Sequence, residues 1–569
     1  MGNQREIEQG AGVTGIQAST REVREGNEVR LGPDARSYGS YIGGRSVTGD
    51  DWVYVVDAAA LLDDAFSNLT LKRRLERGQA PDGELPSSIV GRVAKAGPDE
   101  VRLALEAASR AAVEWAAVPL EVRLDRVCTL LHRRVAERAE EIEEILVQEG
   151  HPRVLARWQV SGMLECWGPE SVGFYHSQLH QEFRHGVREI SVRRRPDGVV
   201  CLNPPQNAPM ASALLGVHAI FAGNALVVRA PRSGPLGVMY ALQELVAPVL
   251  DEVGAPPGTL GVVCGDPAPL LNAWLESPLV DDIMYFGSSE AGIRFQDRCV
   301  AAGKKPILEL AGNDVVTIWK DADVELAAEA LTEGFFGSGQ LCMIPNQVVV
   351  HPEVAEPLLA ELVRQARLVR PGRAGDEDVL LTPVLRNEKF FDCLDDALLQ
   401  GAELVCGGHA MLVDGTRDPA GIFLEPTVVL VRGLTDARRM TAVSQETFFP
   451  LLPVIVAEPD DDERLLERFI DFVNSTGYGL RNSLWAADRT VVDRFVDRVT
   501  EGGLLKVNDS HIGFLPYLPS HGGTGLTGGV FGEANYPALR TTHVQGVSVS
   551  PGGIRPRDAV FGTGRRPAA

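Results

Sequence analysis

Leu226-Val227-Val228-Arg229 is one of several short apolar runs between residues 205 and 307, and their spacing decides the fold. The run is too short for a helix and rich in valine, so it reads as a buried strand. Residues 235–253 then carry a helical pattern, Pro256-Pro257-Gly258 makes a turn, and residues 260–264 read as the next strand. Residues 282–286 read as a further strand and 289–302 as a further helix. This alternation predicts an α/β fold with a parallel sheet covered by helices.

Working outward, Val187, Ile190, Val192 and Val199-Val200 mark extended strands that end at Asn203-Pro204-Pro205. Residues 98–149 are helical, opened by Pro98-Asp99-Glu100. Short strands are expected at 40–45 and 52–56, with a local helical insertion at 57–82 between them and the helices. A second α/β run covers about 310–535, followed by a β-rich run at 541–549. Residues 1–37 and 551–569 carry little apolar pattern and are expected to be flexible.

The chain has 569 residues, 44% hydrophobic and 23% charged, enough for several structural units around large cores. Its formal charge of −22 argues against a nucleic-acid-binding surface. No uninterrupted apolar stretch reaches the length of a membrane span, and the first thirty residues lack an apolar signal core, so no membrane partner and a cytoplasmic setting are expected. The eight cysteines show no CxxC spacing, which predicts neither a disulfide scaffold nor a metal site.

Cys342 is the candidate nucleophile. It follows the turn Gly337-Ser338-Gly339, and Glu309 lies 33 residues upstream in Leu308-Glu309-Leu310-Ala311-Gly312-Asn313. A thiolate that attacks a carbonyl carbon and a carboxylate that later activates water would together make and hydrolyse a thioester. Asn207, in Pro205-Gln206-Asn207-Ala208-Pro209, is a candidate oxyanion donor with the Cys342 backbone N–H. Phe286-Gly287-Ser288-Ser289 joins a strand to a helix and is a candidate phosphate turn. A literal GxGxxG stands at Gly523-Thr524-Gly525-Leu526-Thr527-Gly528. It follows Leu515-Pro516-Tyr517-Leu518-Pro519 rather than a buried strand, so it reads as a loop over a ligand cleft.

These motifs, with Tyr41-Ile42-Gly43-Gly44, Phe221–Val228 and Gln445-Glu446-Thr447-Phe448-Phe449-Pro450, resemble those of the aldehyde dehydrogenase superfamily across about residues 40–550. The resemblance implies NAD(P)-dependent oxidation of a small-molecule aldehyde to an acid, with Cys342, Glu309 and Asn207 catalytic. It places Gly287 and Ser288 at the pyrophosphate, and Glu446 and Phe448 at the nicotinamide side. CoA-acylating, reductive or catalytically retired members are the alternatives. The family's Lys-Pro-x-Glu is replaced here by Arg229-Ala230-Pro231-Arg232. Arg229 is expected at the adenosine ribose, and Arg232 offers a cation to a 2′-phosphate, which leans the expected cofactor to NADP over NAD.

The implied architecture has a Rossmann-like cofactor domain (38–182 and 201–308) and an α/β catalytic domain (309–537). A β-strand flap (183–200 and 538–550) is expected to build a homodimer or homotetramer.

Overall fold

The computed structural model describes residues 30–79, 84–518, 521–532 and 536–561. Five apolar runs, buried along almost their whole length, build the first sheet: β1 (Val199–Asn203), β2 (Ala225–Ala230), β3 (Leu260–Cys264), β4 (Asp282–Phe286) and β5 (Lys305–Glu309). All five are parallel, so helices cover both faces and the strands need no polar alternation. Their spatial order is β5-β4-β1-β2-β3, extended by an antiparallel pair, Ser40–Ile42 and Arg45–Val47. The chain runs from β1 to β3 on one side, then returns to the other side of β1 for β4 and β5. The switch point therefore lies between β1 and β4, where doubly wound sheets bind ligands at their carboxyl ends.

A second seven-stranded sheet spans residues 314–507. Its order is Glu403–Cys406, Thr427–Arg432, Leu451–Val456, Pro345–Val350, Asp314–Ile318, Arg481–Trp485 and Leu504–Val507, parallel apart from the first strand. Only Leu310-Ala311-Gly312-Asn313 separate the end of β5 from the first strand of this sheet, so Glu309 sits at the junction of the two. A three-stranded antiparallel sheet pairs His180–His185 and Thr542–Val549 with the central Arg188–Pro196.

Local differences from the expected elements have simple causes. Gly43 and Gly44 both take positive φ and fold the expected strand at 40–45 into a tight hairpin. Arg36–Tyr38 is a strand rather than part of a flexible arm, pairing with Ile89–Ala94 and burying Tyr38; residues 1–29 lie outside the described residues. In the C-terminal tail, Pro556–Phe561 forms a short helix, and residues 562–569 lie outside the described residues. The insertion forms two helices, Ala58–Asp63 and Ala65–Leu75, capped by Asp57 and Asp64. Leu75 packs against Tyr54, Val56, Leu85 and Ile89, anchoring the helix end to the adjoining sheet. Residues 80–83 lie outside the described residues.

Candidate active site

The turn before Cys342 places three consecutive residues in the left-handed region: Gly337, Ser338 and Gly339 at φ of 60°, 54° and 72°. A serine there costs about 1 kcal/mol or more and persists only where its surroundings fix it. Ser338 Oγ donates to the Thr382 carbonyl at 2.6 Å and accepts from the Thr382 N–H at 2.9 Å. Thr382 Oγ1 donates to the Gly337 carbonyl, and the Gln340 amide donates to Thr382 Oγ1 and the Pro383 carbonyl. A Cβ at Gly339 would collide with the Phe449 carbonyl. The turn is thus clamped from two sides and delivers Cys342, half-buried, against an apolar cluster that includes Met343, Ile344, Leu480 and Trp158.

Asn207 comes from a different sheet, between β1 and the helix Pro209–Gly216. Its Nδ2 donates to the Gln340 carbonyl at 2.9 Å, two residues before the thiol. Glu309, at the tip of β5, is 5% exposed. Its Oε2 accepts from the Gly522 N–H at 2.8 Å, while Oε1 has no hydrogen-bond partner among the described residues. Burial pushes the Glu309 carboxyl up to about 8. Glu446 Oε1 accepts from the Gly312 N–H at 2.9 Å, and burial pushes this carboxyl up to about 8 as well. Gly312 is itself pressed on the Cys342 carbonyl, leaving no room for a Cβ. Asn207 is therefore bonded two residues before Cys342, and Glu446 is bonded to the glycine that packs on the Cys342 carbonyl.

Burial pushes the Cys342 thiol up to about 12, and the nearby Glu446, Asp314 and Glu309 carboxyls push in the same direction. At neutral pH, Glu309 and Glu446 are mostly protonated, which removes two of the charges that oppose a thiolate. Arg481 acts the other way and lowers the thiol. This buried guanidinium donates to the His511 carbonyl at 2.9 Å, while the Arg481 N–H donates to Asp314 Oδ1 at 3.2 Å. Nothing in the sequence around Arg481 marks it. Its place beside the thiol follows from strand Arg481–Trp485 pairing with Asp314–Ile318.

At the switch point, Gly287 and Ser288 are exposed where β4 meets the helix Ser289–Ala301. Ser288 Oγ caps that helix by accepting from the Ala291 N–H, and the buried Ser289 hydroxyl has no partner among the described residues. The helix after β2 differs: Glu149 already occupies its N-terminus, accepting from the Leu236 and Gly237 N–H groups at 2.7 and 3.1 Å. The N-terminus of the helix after β4 is thus exposed, and that of the helix after β2 is already filled by a carboxylate.

The arginines at the end of β2 and just after it, Arg229 and Arg232, are both engaged. Arg229 is buried, with Nε donating to Asn203 Oδ1 at 2.6 Å and Nη1 to the Gly265 carbonyl at 3.1 Å. It braces the carboxyl ends of β1 and β3. Arg232 is bracketed by Asp266 Oδ1 at 2.8 Å and Glu76 Oε2 at 3.1 Å. The sequence offers Arg232 to a 2′-phosphate, and in the fold two carboxylates hold it.

Against the helix Pro209–Gly216, a pocket is lined by Gln159, Met163, Trp167, Leu215, Phe514 and His521, among others. None of its described lining residues is Lys, Arg, Asp or Glu. Its two histidines, His218 and His521, are driven to about 4 and about 3 by burial and stay neutral at physiological pH. Away from this region, His351, Glu353 and Asp462 approach one another, but Lys320 pairs with Asp462 and the His351 Nδ1 accepts from the Glu353 N–H. That cluster is an ion-paired helix start.

The aldehyde dehydrogenase family model matches residues 84–543. The chain is 29% identical over 451 residues to the α-ketoglutarate semialdehyde dehydrogenase of Haloferax volcanii, covering 77% of this chain and 88% of that protein. It is 29% identical over 478 residues to betaine aldehyde dehydrogenase 1 of Rhizobium meliloti, covering 80% and 91%. Among solved structures, the NAD-dependent aldehyde dehydrogenase from Sinorhizobium meliloti superposes with a TM-score of 0.74 at 23% identity, covering 92% of this chain and 96% of that one. With a family match over most of its length and the same fold, the chain belongs to the aldehyde dehydrogenase family, whose members oxidise aldehydes to acids with NAD or NADP.

Proposed function

We propose that the protein oxidises an uncharged aldehyde to its carboxylic acid through a thioester on Cys342. The observation that carries this reading is the convergence at the sheet junction. Asn207 is bonded to the Gln340 carbonyl, and Glu309 presents a buried carboxyl oxygen with no partner among the described residues. Cys342 Sγ adds to the aldehyde carbon, and the oxyanion that forms is met by the Asn207 amide and the Cys342 N–H. Glu446 and Phe448 would hold the nicotinamide side of the cofactor and Gly287-Ser288 its pyrophosphate, and the bound cofactor would accept the hydride from the aldehyde carbon, leaving the thioester. Water then attacks the thioester carbon, Glu309 takes the proton of that water, and the carbon–sulfur bond breaks to release the carboxylate and the thiolate. A base held in this place favours water over CoA as the acyl acceptor. The lack of charged lining in the pocket against the helix that follows Asn207 supports a neutral, apolar substrate, since a carboxylate or ammonium buried there would find no counter-ion. The engagement of Arg232 by two carboxylates supports NAD as the preferred cofactor.

The sheet of His180–His185, Arg188–Pro196 and Thr542–Val549 exposes Phe183, Val187, Val544 and Val549 on and beside its edge strands. Open strands with apolar side chains support pairing into a homodimer or homotetramer. The test of the catalytic reading is aldehyde-dependent reduction of NAD and NADP without CoA, over neutral, anionic and cationic aldehydes. Turnover should favour neutral aldehydes and vanish in Cys342→Ala, with folding retained. Surviving activity in that variant would remove Cys342 as the nucleophile.

A further inference from the structure

We infer that Glu76, supplied by the insertion at 57–82, reads the adenosine ribose of the bound dinucleotide and makes this chain discriminate against NADP. The inference rests on the dehydrogenase reading above and adds a residue that lies before the family match, which begins at residue 84.

In a doubly wound dinucleotide unit, the residue after the second strand decides between the two cofactors. An acid accepts from the ribose 2′-hydroxyl, and an arginine takes a 2′-phosphate. Here β2 is followed by Arg232, but the insertion helix Ala65–Leu75 brings Glu76 onto it from the far side. Glu76 Oε2 lies 3.1 Å from Arg232 Nη2, and Asp266 Oδ1 lies 2.8 Å from Nη1. Lys72 approaches Glu76 at 4.0 Å, and Lys95 approaches Asp266 at 3.0 Å. The five side chains form a row of alternating sign at the carboxyl ends of β2 and β3.

Two atoms of this row are left over. Arg232 Nε is buried without a hydrogen-bond partner among the described residues, and Glu76 Oε1, buried too, accepts no hydrogen bond there and meets only Lys72 Nζ, in an ion pair at 4.0 Å. One is an acceptor and the other a donor, and they belong to two side chains already bonded to each other. A ribose hydroxyl donates and accepts at once, so it satisfies both. A 2′-phosphate has no proton to give a carboxylate, and it would bring its charge against Glu76 and Asp266. Asp266 is firmly ionised, because Arg232 and Lys95 lower its pKa.

The position of Glu76 is enforced by the fold. Its neighbour Leu75 is 4% exposed in the cluster with Tyr54, Val56 and Ile89. The strand that follows the insertion is tied to the cofactor sheet where the Ala96 N–H donates to the Cys264 carbonyl at 2.8 Å, at the end of β3. The insertion thus serves as a wall of the adenosine site, and its carboxylate stands in for the one that β2 does not supply.

The test measures binding of NAD and NADP to the full chain by calorimetry, without aldehyde. The wild-type protein should bind NAD about tenfold or more tightly than NADP. Glu76→Gln removes the charge and frees Arg232, so NAD should weaken several-fold and NADP should tighten, shifting the ratio by about a hundredfold. Glu76→Asp should keep NADP excluded. An unchanged ratio in Glu76→Gln, with both cofactors still bound, would overturn the role of Glu76 and leave the dehydrogenase reading standing. Failure of the wild type to bind either cofactor would overturn both. If Glu76→Gln does not fold, hydrogen exchange on the wild type decides: NAD should protect the amides of residues 65–76, and no protection there would overturn the inference.

Discussion

The turn at Gly287-Ser288 and the loop at Gly523–Gly528 both set glycines ahead of helical backbone, yet their glycines face different things. A Cβ at Gly287 would meet only the ring end of Tyr285, at 2.7 Å or more, and the residue is exposed. A Cβ at Gly523, Gly525 or Gly528 would strike the carbonyls of Gly479, Gly477 and Gly523, respectively. The first turn leads into a helix of 13 residues, capped by Ser288, and the second into one of 4. The second loop is instead bonded to the protein around it. Thr527 Oγ1 donates to the Ala311 carbonyl at 2.7 Å and accepts from the Gly479 N–H at 3.2 Å, and the Leu310 N–H donates to the Thr527 carbonyl at 2.9 Å. Just before it, the Gly522 N–H holds Glu309. The literal dinucleotide pattern is part of a clasp on the chain around Glu309, and the less perfect turn has the open helix end. Glycine marks close backbone approach, and only the surroundings say whether the approaching group is a ligand or the protein itself.

The largest effect expected on this contrast comes from cutting the link between the clasp and the chemistry. Glu309→Gln should lower turnover by about 10²- to 10⁴-fold and let an acyl adduct build up on Cys342, read by intact-mass spectrometry. The wild-type rate should rise as pH climbs through about 8, where Glu309 ionises, and the variant should lose that rise. Stability should move the opposite way. A carboxyl whose folded pKa stands above its unfolded value destabilises the fold progressively as pH rises from about 4.5 to about 8. Thermal unfolding at pH 8.5 should therefore find the Gln variant more stable than the wild type by about 1–2 kcal/mol, with the gap closing below pH 5.

Next comes Gly523→Ala. It collides with a strand carbonyl at φ of 155° and should destabilise the fold by about 2–4 kcal/mol in urea unfolding. A neutral result would mean that the clasp is loose and the contrast drawn here is wrong. Gly287→Ala should do the reverse, leaving stability within about 1 kcal/mol because Tyr285 can move aside. Its cofactor affinity should fall about tenfold by calorimetry, as the added methyl meets the pyrophosphate. Ser288→Ala is the mildest. Its capping bond is long, at 3.4 Å, so about 0.5 kcal/mol of stability should be lost, with a small weakening of cofactor binding.

Much of the architecture is legible in the residues. The runs at 226–229, 260–264 and 282–286 have no room for helical periodicity and no polar alternation, and a strand buried on both faces needs neither. Gly337-Ser338-Gly339 before Cys342 announces a left-handed turn, and all three residues take one. The Gly43-Gly44 hairpin was read as a single strand, and the strand at Arg36–Tyr38 was hidden, because its stability comes from pairing with residues 89–94 rather than from its own pattern.

The sequence by itself determined the sheet class, the turn before Cys342 and the family, since local spacing and short motifs carry all three. Only the tertiary structure decided which groups neighbour the thiol and what the glycines face. Arg481 reaches Cys342 through strand pairing, Gly522 reaches Glu309 across 213 residues, and Glu76 reaches Arg232 across 156. Electrostatics and hydrogen bonds depend on distances in space, and a chain folded into two sheets sets those distances by topology rather than by sequence separation.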